Sequence, residues 1–556
     1  MDDSNQNLDT TEISSKTHVK NLWKEANNND YQEHATIFSD DSTQIINSAS
    51  LNVDSTDTFM QALDNKIKSD KDDEIVKSWL FEQLETTIND SSEKALYQYL
   101  YDTITESDEP SFTLKKVNIM DLEKRKKVYG ICGECNEPGT GWRWCQPCNA
   151  KRFTDNFKNW TSENKNIDEL IQQSQINSFH FTKCLEWIPF EKFENVTYLT
   201  RGGFGKIYSA DWPEGHINYW DIENQIWKLC PNVKVALKSL DDSSNMNNDF
   251  LNEIKYYISG HFYCIQTVIC YGITKDPDTK DYMMVLPYYG SGSLRNNLTN
   301  DLGYENKIQY LYWIIDGLST IHNAGKVHKD FHSGNVLIEK GIPIISDLGM
   351  CQPVDDNERK GVFGVIPYMA PEVLRGYKYT KAADIYSFGI MMNELMSEEI
   401  PHNDIPHDHF LVVKICKGFR PKISENTPKL IVDLIIKCWD AKAENRPTAK
   451  ELCQILREYV GKITGKFGEI YSQIKECEEI KENKLKSKTI ENKSENLQTH
   501  PQAIYTSRLL NFDNLPEPVN STDSLSETIS STPANPISEC FDCELDESDL
   551  NQDNDE

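Results

Sequence analysis

Long apolar runs are missing from this 556-residue sequence: none reaches the ~18 consecutive apolar residues of a membrane helix. The opening stretch, MDDSNQNLDTTEISSK, has no apolar core of signal-peptide length, so a soluble chain of the cytoplasm or nucleus is expected, with no membrane partner. Positive charge is scarce as well. Lys and Arg total 58 against 88 Asp and Glu, a formal charge of −30, which argues against binding nucleic acid or anionic membrane by bulk electrostatics. From Pro501 to Glu556 the sole basic side chain is Arg508, so the acidity belongs largely to the ends. No internal repeat is present. Cysteine is plentiful at 15, but an odd number scattered without a secretory signal does not suggest a disulfide framework.

What is there divides unevenly. Hydrophobic residues make up 38% and the mean hydropathy is −0.61, enough for one large core within a mostly solvated chain. Residues 1–70 are rich in Asp, Asn, Ser and Thr and are expected to be disordered. Residues 71–127 form a small helical region in this reading: Ile75, Val76, Trp79, Leu80, Leu84 and Ile88 recur at helical spacing, then Leu96, Tyr97, Leu100, Tyr101 and Ile104. A cysteine module (128–152) and a polar linker (153–189) precede one large folded block, 190–462. The remainder, 463–556, reads as a Lys/Glu-rich helix and then a disordered acidic tail.

The large block carries the chemistry. Leu199 to Tyr208 reads as strand, glycine turn and returning strand, with Gly202, Gly203 and Gly205 where a backbone approaching phosphate oxygens has no room for Cβ. Val233 to Lys238 alternates as a strand that ends on Lys238, and the helical stretch from Phe250 offers Glu253 as an ionic partner. His328-Lys329-Asp330-Phe331-His332-Ser333-Gly334-Asn335 is followed by Ser346-Asp347-Leu348-Gly349. Then come Tyr368-Met369-Ala370-Pro371-Glu372, Asp384 to Gly389, Cys438-Trp439-Asp440 and Asn445-Arg446-Pro447-Thr448. In order and spacing these resemble the protein kinases, in particular the tyrosine-kinase-like group of Ser/Thr protein kinases.

That resemblance implies an α+β, bilobal kinase fold with a small, mainly β lobe and a large, mainly α lobe. It implies Lys238 on the α- and β-phosphates of ATP and paired with Glu253, and Asp330 beside the substrate hydroxyl. Asn335 and Asp347 would hold Mg²⁺. Leu199, Gly202, Gly203, Gly205, Ile207, Ala236, Leu286, Tyr288 and Leu337 would surround the nucleotide, with Leu286 as gatekeeper and Pro287-Tyr288-Tyr289 as hinge. Glu372 should pair with Arg446, and Asp384 should brace the catalytic loop. The expected reaction is transfer of the γ-phosphoryl of Mg·ATP to Ser/Thr hydroxyls of protein substrates in intracellular signalling. A pseudokinase scaffold, or a dual-specificity or Tyr kinase, is the alternative; the presence of Lys238, Asp330, Asn335 and Asp347 together weighs against the scaffold.

Several positions depart from the family pattern. Thr200 replaces the first glycine, Lys329 the arginine before the catalytic Asp, and His332 the usual lysine two residues after it. No Ser, Thr or Tyr lies between Leu348 and Pro367, so activation by phosphorylation of this loop is not expected. A long connection, Trp212 to Pro231, carries Trp212, Tyr219, Trp220 and Trp227, and reads as a satellite apolar cluster or a docking surface.

Outside the block, Cys132-x-x-Cys135 and Cys145-x-x-Cys148 form two knuckles around the turn-rich Asn136 to Gly141. Four thiolates so spaced can close a tetrahedral shell, which points to structural Zn²⁺ in a zinc-ribbon-like module. Trp142, Arg143 and Trp144 pack internally or contact a partner. Protein partners are expected through this module and the acidic tails.

Overall fold

The computed structural model describes residues 34–37, 115–201, 205–240, 248–258, 267–298, 302–353, 362–487, 499–512 and 514–520. The expected helical runs between Ile75 and Ile104 lie outside these residues, as do Gly202 and Gly203.

At the N-terminal end, strand β1 (His34–Ile37) pairs in parallel with β2 (Lys115–Asn118), so this part of the 1–70 stretch has a definite partner. Helix α1 (Leu122–Tyr129) buries Arg125, whose guanidinium donates to the carbonyls of Ile119, Pro138 and Gly139 at 2.6–2.9 Å. One side chain thereby staples the first knuckle loop. Helices α2 (Gln146–Asn156) and α3 (Lys165–Asn177) follow. The stretch read as a linker is therefore folded. Its helix, KNIDELIQQSQIN, looks polar but carries a narrow stripe of Ile167, Leu170 and Ile171, all buried in the main core. Asn164 caps it, accepting from the Asn166 and Ile167 amides.

The small lobe is a six-stranded sheet. In chain order its strands are β3 (Glu186–Trp187), β4 (Glu194–Arg201) and β5 (Gly205–Trp212), then β8 (Val233–Leu240), β9 (Gly272–Lys275) and β10 (Tyr282–Pro287). The spatial order is β3-β9-β10-β8-β5-β4, antiparallel except for β3 with β9. The intervening hairpin β6 (His216–Asp221) and β7 (Ile226–Cys230) stands apart as its own two-stranded sheet. Period-2 alternation decides which residues face the ligand cleft. Val235, Leu237, Met283 and Val285 pack outward with Ile188, Phe193 and Trp212. Lys238, Met284 and Leu286, with the half-buried Ala236, therefore turn to the opposite face, where helix α4 (Asn248–Ile258) supplies Ile254 and Tyr257 to the main core.

The large lobe is mainly helical: α5 (Tyr304–Asn323), α6 (Pro371–Leu374), α7 (Lys381–Ser397), α8 (His409–Cys416), α9 (Lys429–Cys438), α10 (Ala449–Thr464) and α11 (Gly468–Ser487). Every residue of α7 from Ala383 to Met396 is buried, the pattern of a helix enclosed on all sides. Gly389 makes that possible, since a Cβ there would lie 2.6 Å from the Cβ of Cys438. Short strand pairs β11 (Lys326–Val327) with β14 (Gln352–Pro353), and β12 (Val336–Glu339) with β13 (Ile342–Ile345), frame the loops above.

The expectation of disorder after α11 does not hold for residues 499–512 and 514–520, which lie on the large lobe. Within them β16 (Arg508–Leu510) pairs with β15 (Val362–Gly364). Polar composition hid this, because the anchoring residues are few and widely spaced.

Candidate functional site

The cleft between the lobes gathers residues more than 100 positions apart. Lys238, near the end of β8, donates from Nζ to Glu253 Oε1 at 2.7 Å and to Asp347 Oδ1 at 2.8 Å. Burial disfavours the ammonium, but Asp347 and Glu253 outweigh it and hold Lys238 protonated above the usual lysine range. Burial raises the Glu253 carboxyl, partly offset by Lys238. One cation thus serves two carboxylates. The Tyr257 hydroxyl also reaches Glu253 Oε1, at 3.3 Å. Gly349 is needed here because a Cβ would lie 2.7 Å from Glu253 Oε2.

The catalytic-type loop is fixed from below. Asp384 accepts from the amides of His328 (2.8 Å) and Lys329 (3.0 Å), and its Oδ2 meets His322 Nε2 at 2.9 Å. Lys329 has φ 71°, a conformation that this clamp holds in place. Asn335 donates from Nδ2 to the backbone and side-chain oxygens of Asp330, at 3.0 and 3.2 Å. Its amide oxygen is then the atom left for a cation, as is the second oxygen of Asp347, whose side chain is 26% exposed. This donor set, an amide oxygen and a carboxylate, suits Mg²⁺.

Asp330 Oδ1 is buried without a hydrogen-bond partner. His332 Nδ1 accepts from the Gly334 amide at 3.0 Å, so its Nε2–H faces Asp330 Oδ1, 3.6 Å away. Burial acts to raise the Asp330 carboxyl, but His332 and His328 outweigh it and hold it below the usual range. The position that departs from the family pattern therefore still turns a ring nitrogen toward Asp330.

Around the nucleotide cleft, Ile207, Ala236 and Leu337 are half-buried, Leu286 is buried and Leu199 is exposed. The Tyr288 amide donates back to the Lys234 carbonyl at 3.1 Å, tying the hinge to β8. Arg446 and Glu372 pair in the expected way, with two N–H···O bonds of 2.7 and 2.8 Å.

A second layer escaped sequence reasoning. Glu394 of α7 accepts from Ser333 Oγ (2.9 Å) and Tyr368 Oη (2.8 Å). Burial pushes its carboxyl up to about 7 despite Arg295 nearby. Arg295 reaches Tyr368 Oη and His332 Nδ1, each at 3.4 Å. Such residues carry no local motif.

The four cysteines also converge. Their Sγ atoms all lie within 4.8 Å of one another, with Cys135 and Cys145 at 3.5 Å and Cys132 and Cys148 at 3.9 Å. These are not disulfides. They approximate the ~3.8 Å edge of a tetrahedron built on ~2.3 Å Zn–S bonds. The hydrogen bond from Cys145 draws Cys132 down to about 5, and burial pushes Cys148 up to about 12. Among these residues, then, an ordinary thiol environment is lost in both directions.

The module docks on the small lobe through the β6–β7 hairpin. Phe153 stacks on Trp227 at 4.9 Å, Trp144 lies 5.9 Å from Trp227, and Arg152 covers Trp220 at 4.2 Å. Trp142 and Arg143 both meet Tyr219. The aromatic connection and the Trp-Arg-Trp hairpin are thus partners of each other. The buried Trp144 donates to the Ser178 carbonyl at 2.8 Å, and Lys183 donates to the Tyr257 carbonyl on α4 at 3.1 Å. The cysteine module and the Glu253 helix are connected through this segment.

Comparison with known proteins agrees with the geometry. The family model for the protein tyrosine and serine/threonine kinase matches residues 193–456. Residues 193–456 are a protein kinase domain. The chain is 25% identical over 389 residues to a protein of Acanthamoeba polyphaga mimivirus named as a serine/threonine-protein kinase/receptor, an alignment that covers 67% of this chain and 22% of that one. It is 29% identical over 225 residues to a protein kinase and PP2C-like domain-containing protein of Arabidopsis thaliana, covering 34% of each. With a serine/threonine-protein kinase of Dictyostelium discoideum it shares 32% identity over 194 residues, covering 34% of this chain and 14% of the other. The chain spans between about a seventh and a third of the length of these relatives. The domain implies ATP and Mg²⁺. Among the described residues, no helix is long and apolar enough to cross a membrane.

Proposed function

We propose that this chain is an active protein kinase that transfers the γ-phosphoryl of Mg·ATP to Ser/Thr hydroxyls of proteins in intracellular signalling. The observation that carries the reading is the joined pair of clusters, Lys238–Glu253–Asp347 and Asp330–Asn335, with Glu253 already on Lys238. In this reading Lys238 grips the α- and β-phosphates, and Asn335 and Asp347 hold Mg²⁺, which neutralises charge developing on the phosphates. Asp330 orients the substrate hydroxyl and takes its proton, and its depressed carboxyl keeps it ionised for that task. Leu199, Gly205, Ile207, Ala236, Leu286, Tyr288 and Leu337 form the nucleotide pocket. The names of two relatives favour Ser/Thr over Tyr. Cys132, Cys135, Cys145 and Cys148 hold a structural Zn²⁺ that keeps the N-terminal module folded against the small lobe.

The test uses the full chain and its Asp330→Asn variant, with labelled γ-phosphate and a generic protein acceptor, followed by phospho-amino-acid analysis. Transfer to Ser/Thr that falls by ~10² or more in the variant is expected, the scale of a positioned base. A full chain that binds ATP and transfers nothing overturns the proposal in favour of a scaffold. Label on Tyr overturns the Ser/Thr reading alone.

A further inference from the structure

Residues 499–512 lie along the large lobe, bonded to residues 401–407, to Arg295 and to β15. The His500 amide donates to the Asn403 carbonyl at 2.8 Å, and the His407 amide to the Gln502 carbonyl at 3.0 Å. His407 Nε2 donates to the His402 carbonyl at 3.0 Å, which leaves Nδ1 to accept from the Ile504 amide at 3.1 Å. Arg295 lies over the Tyr505 ring at 4.9 Å and donates to the Tyr505 carbonyl at 3.2 Å. The Tyr505 hydroxyl donates to the Pro401 carbonyl at 2.8 Å. Beyond the next two residues the chain becomes β16, antiparallel to β15, with Arg508 opposite Gly364, Leu509 opposite Phe363 and Leu510 opposite Val362. Leu510 is buried, and Arg508 donates to the His407 carbonyl at 2.6 Å. Further on, Glu517 forks onto Arg375 and the Val519 amide donates to the Cys416 carbonyl at 3.0 Å.

Ser507 stands between the two anchors, Tyr505 and β16. After His332 and His328, its hydroxyl is among the groups that hold the Asp330 carboxyl low. Ser507 Oγ and Asp330 Oδ1 are both buried, and neither has a partner at full hydrogen-bond distance. Facing groups of this kind commonly tighten only when the reacting complex forms. The neighbouring hydroxyls do not compete: Tyr505 is turned to Pro401, and Thr506 is exposed.

We propose that residues 499–512 occupy the protein-substrate groove of their own kinase domain and that Ser507 is phosphorylated intramolecularly. The inference rests on the kinase reading above and names a substrate for it: a serine followed by Arg508 and then Leu509-Leu510, bound by adding a strand to the segment before Ala-Pro-Glu. Ser507 Oγ forms the new bond to the γ-phosphorus, the bond from that phosphorus to the β–γ bridging oxygen breaks, and ADP leaves with its electron pair. The hydroxyl proton passes to Asp330. The product carries about −1.5 to −2 charge directly against the Asp330 carboxylate, so the phosphorylated segment leaves the groove and opens it to other proteins.

The experiment takes phosphatase-treated full chain with Mg·ATP over a hundredfold range of protein concentration, and maps phosphate by peptide mass spectrometry. Phosphate on Ser507 is expected, at a fractional rate independent of protein concentration and absent in Asp330→Asn. Leu510→Asp, which removes the buried anchor of β16, is expected to slow Ser507 labelling at least tenfold without reducing transfer to a generic protein. A chain that labels a generic protein but leaves 499–512 unmodified overturns this inference and spares the kinase reading. So does a Ser507 rate proportional to concentration, or one unaffected by Leu510→Asp. A chain that labels neither itself nor the generic protein overturns both.

Discussion

Replacing Glu372 by Ala removes one half of an ion pair that joins the Ala-Pro-Glu segment to the end of the domain. The Arg446 side chain is fully buried, while that of Glu372 is 18% exposed, and the two share a fork of 2.7 and 2.8 Å bonds. Removing one partner of a buried pair costs ~3–5 kcal/mol, chiefly because the other charge stays buried and unmatched. Here the guanidinium keeps carbonyl acceptors at Asp440 (2.8 Å) and Ala382 (2.9 Å), so the lower end of that range applies, about 3 kcal/mol. At roughly 2–4 °C per kcal/mol for a domain of this size, the transition drops by about 6–12 °C. Circular dichroism during heating reads it, and a urea midpoint gives an independent value. Adding Arg446→Met to the same chain removes the stranded charge and is expected to recover at least half of the loss. A loss under ~1 kcal/mol, the value of an exposed pair, refutes the reasoning.

Gly349→Ala places a methyl 2.7 Å from Glu253 Oε2 and displaces the carboxylate from Lys238; phosphoryl transfer is expected to fall by ~10-fold or more, and a change within twofold contradicts the geometry. Cys145→Ser opens the thiolate shell beside Trp144: the wild type should contain one zinc per chain by atomic absorption, the variant less, with faster tryptic cleavage at Arg152 and weaker kinase activity through the Ser178 to Tyr257 connection. Finding no zinc in the purified wild type refutes the assignment. His402 is buried and stacked on Phe419, and burial, with His407 adding, lowers it to about 4. The folded state therefore rejects a proton that the unfolded chain accepts near pH 6.5, so this contribution is complete above pH 6.5 and lost as pH falls toward 4. Between pH 7 and 5.5 the wild type should lose about 1.2 kcal/mol more than His402→Gln, by urea midpoints, and equal losses contradict the burial account.

How much of this was legible in the sequence depended on whether a function demanded particular residues at short spacing. Lys238, Asp330, Asn335 and Asp347 announced themselves because phosphate and metal chemistry tolerates few alternatives, and the structure brings them to one cleft. The Glu372–Arg446 pair was readable for the same reason. Arg295, Tyr368 and Glu394 were not, since a buried network can be built from many residue combinations and its members come from three separate elements. The helix over 165–177 was misread as linker because only three buried aliphatics, Ile167, Leu170 and Ile171, mark its inner face. Composition averages such a stripe away, although its i, i+3, i+4 spacing is the usual sign of one helix face against a core.

The two segments that composition set aside meet the kinase domain at different ends of the same machine. The Trp144–Ser178–Lys183 connection touches the helix that carries Glu253, and the tail from His500 to Leu510 touches the groove beside Asp330. The tail's contact is made mainly by histidine, arginine and tyrosine side chains and by backbone hydrogen bonds, with Leu510 buried. Such contacts hold a segment with only a modest net free energy, because each hydrogen bond yields ~0.5–1.5 kcal/mol after water is displaced. A segment held so lightly is one that a single added charge can release. The absence of Ser, Thr and Tyr between Leu348 and Pro367 then has a physical counterpart: the hydroxyl that faces Asp330 stands on the tail, so the charge that alters access to the groove enters there and not on the loop.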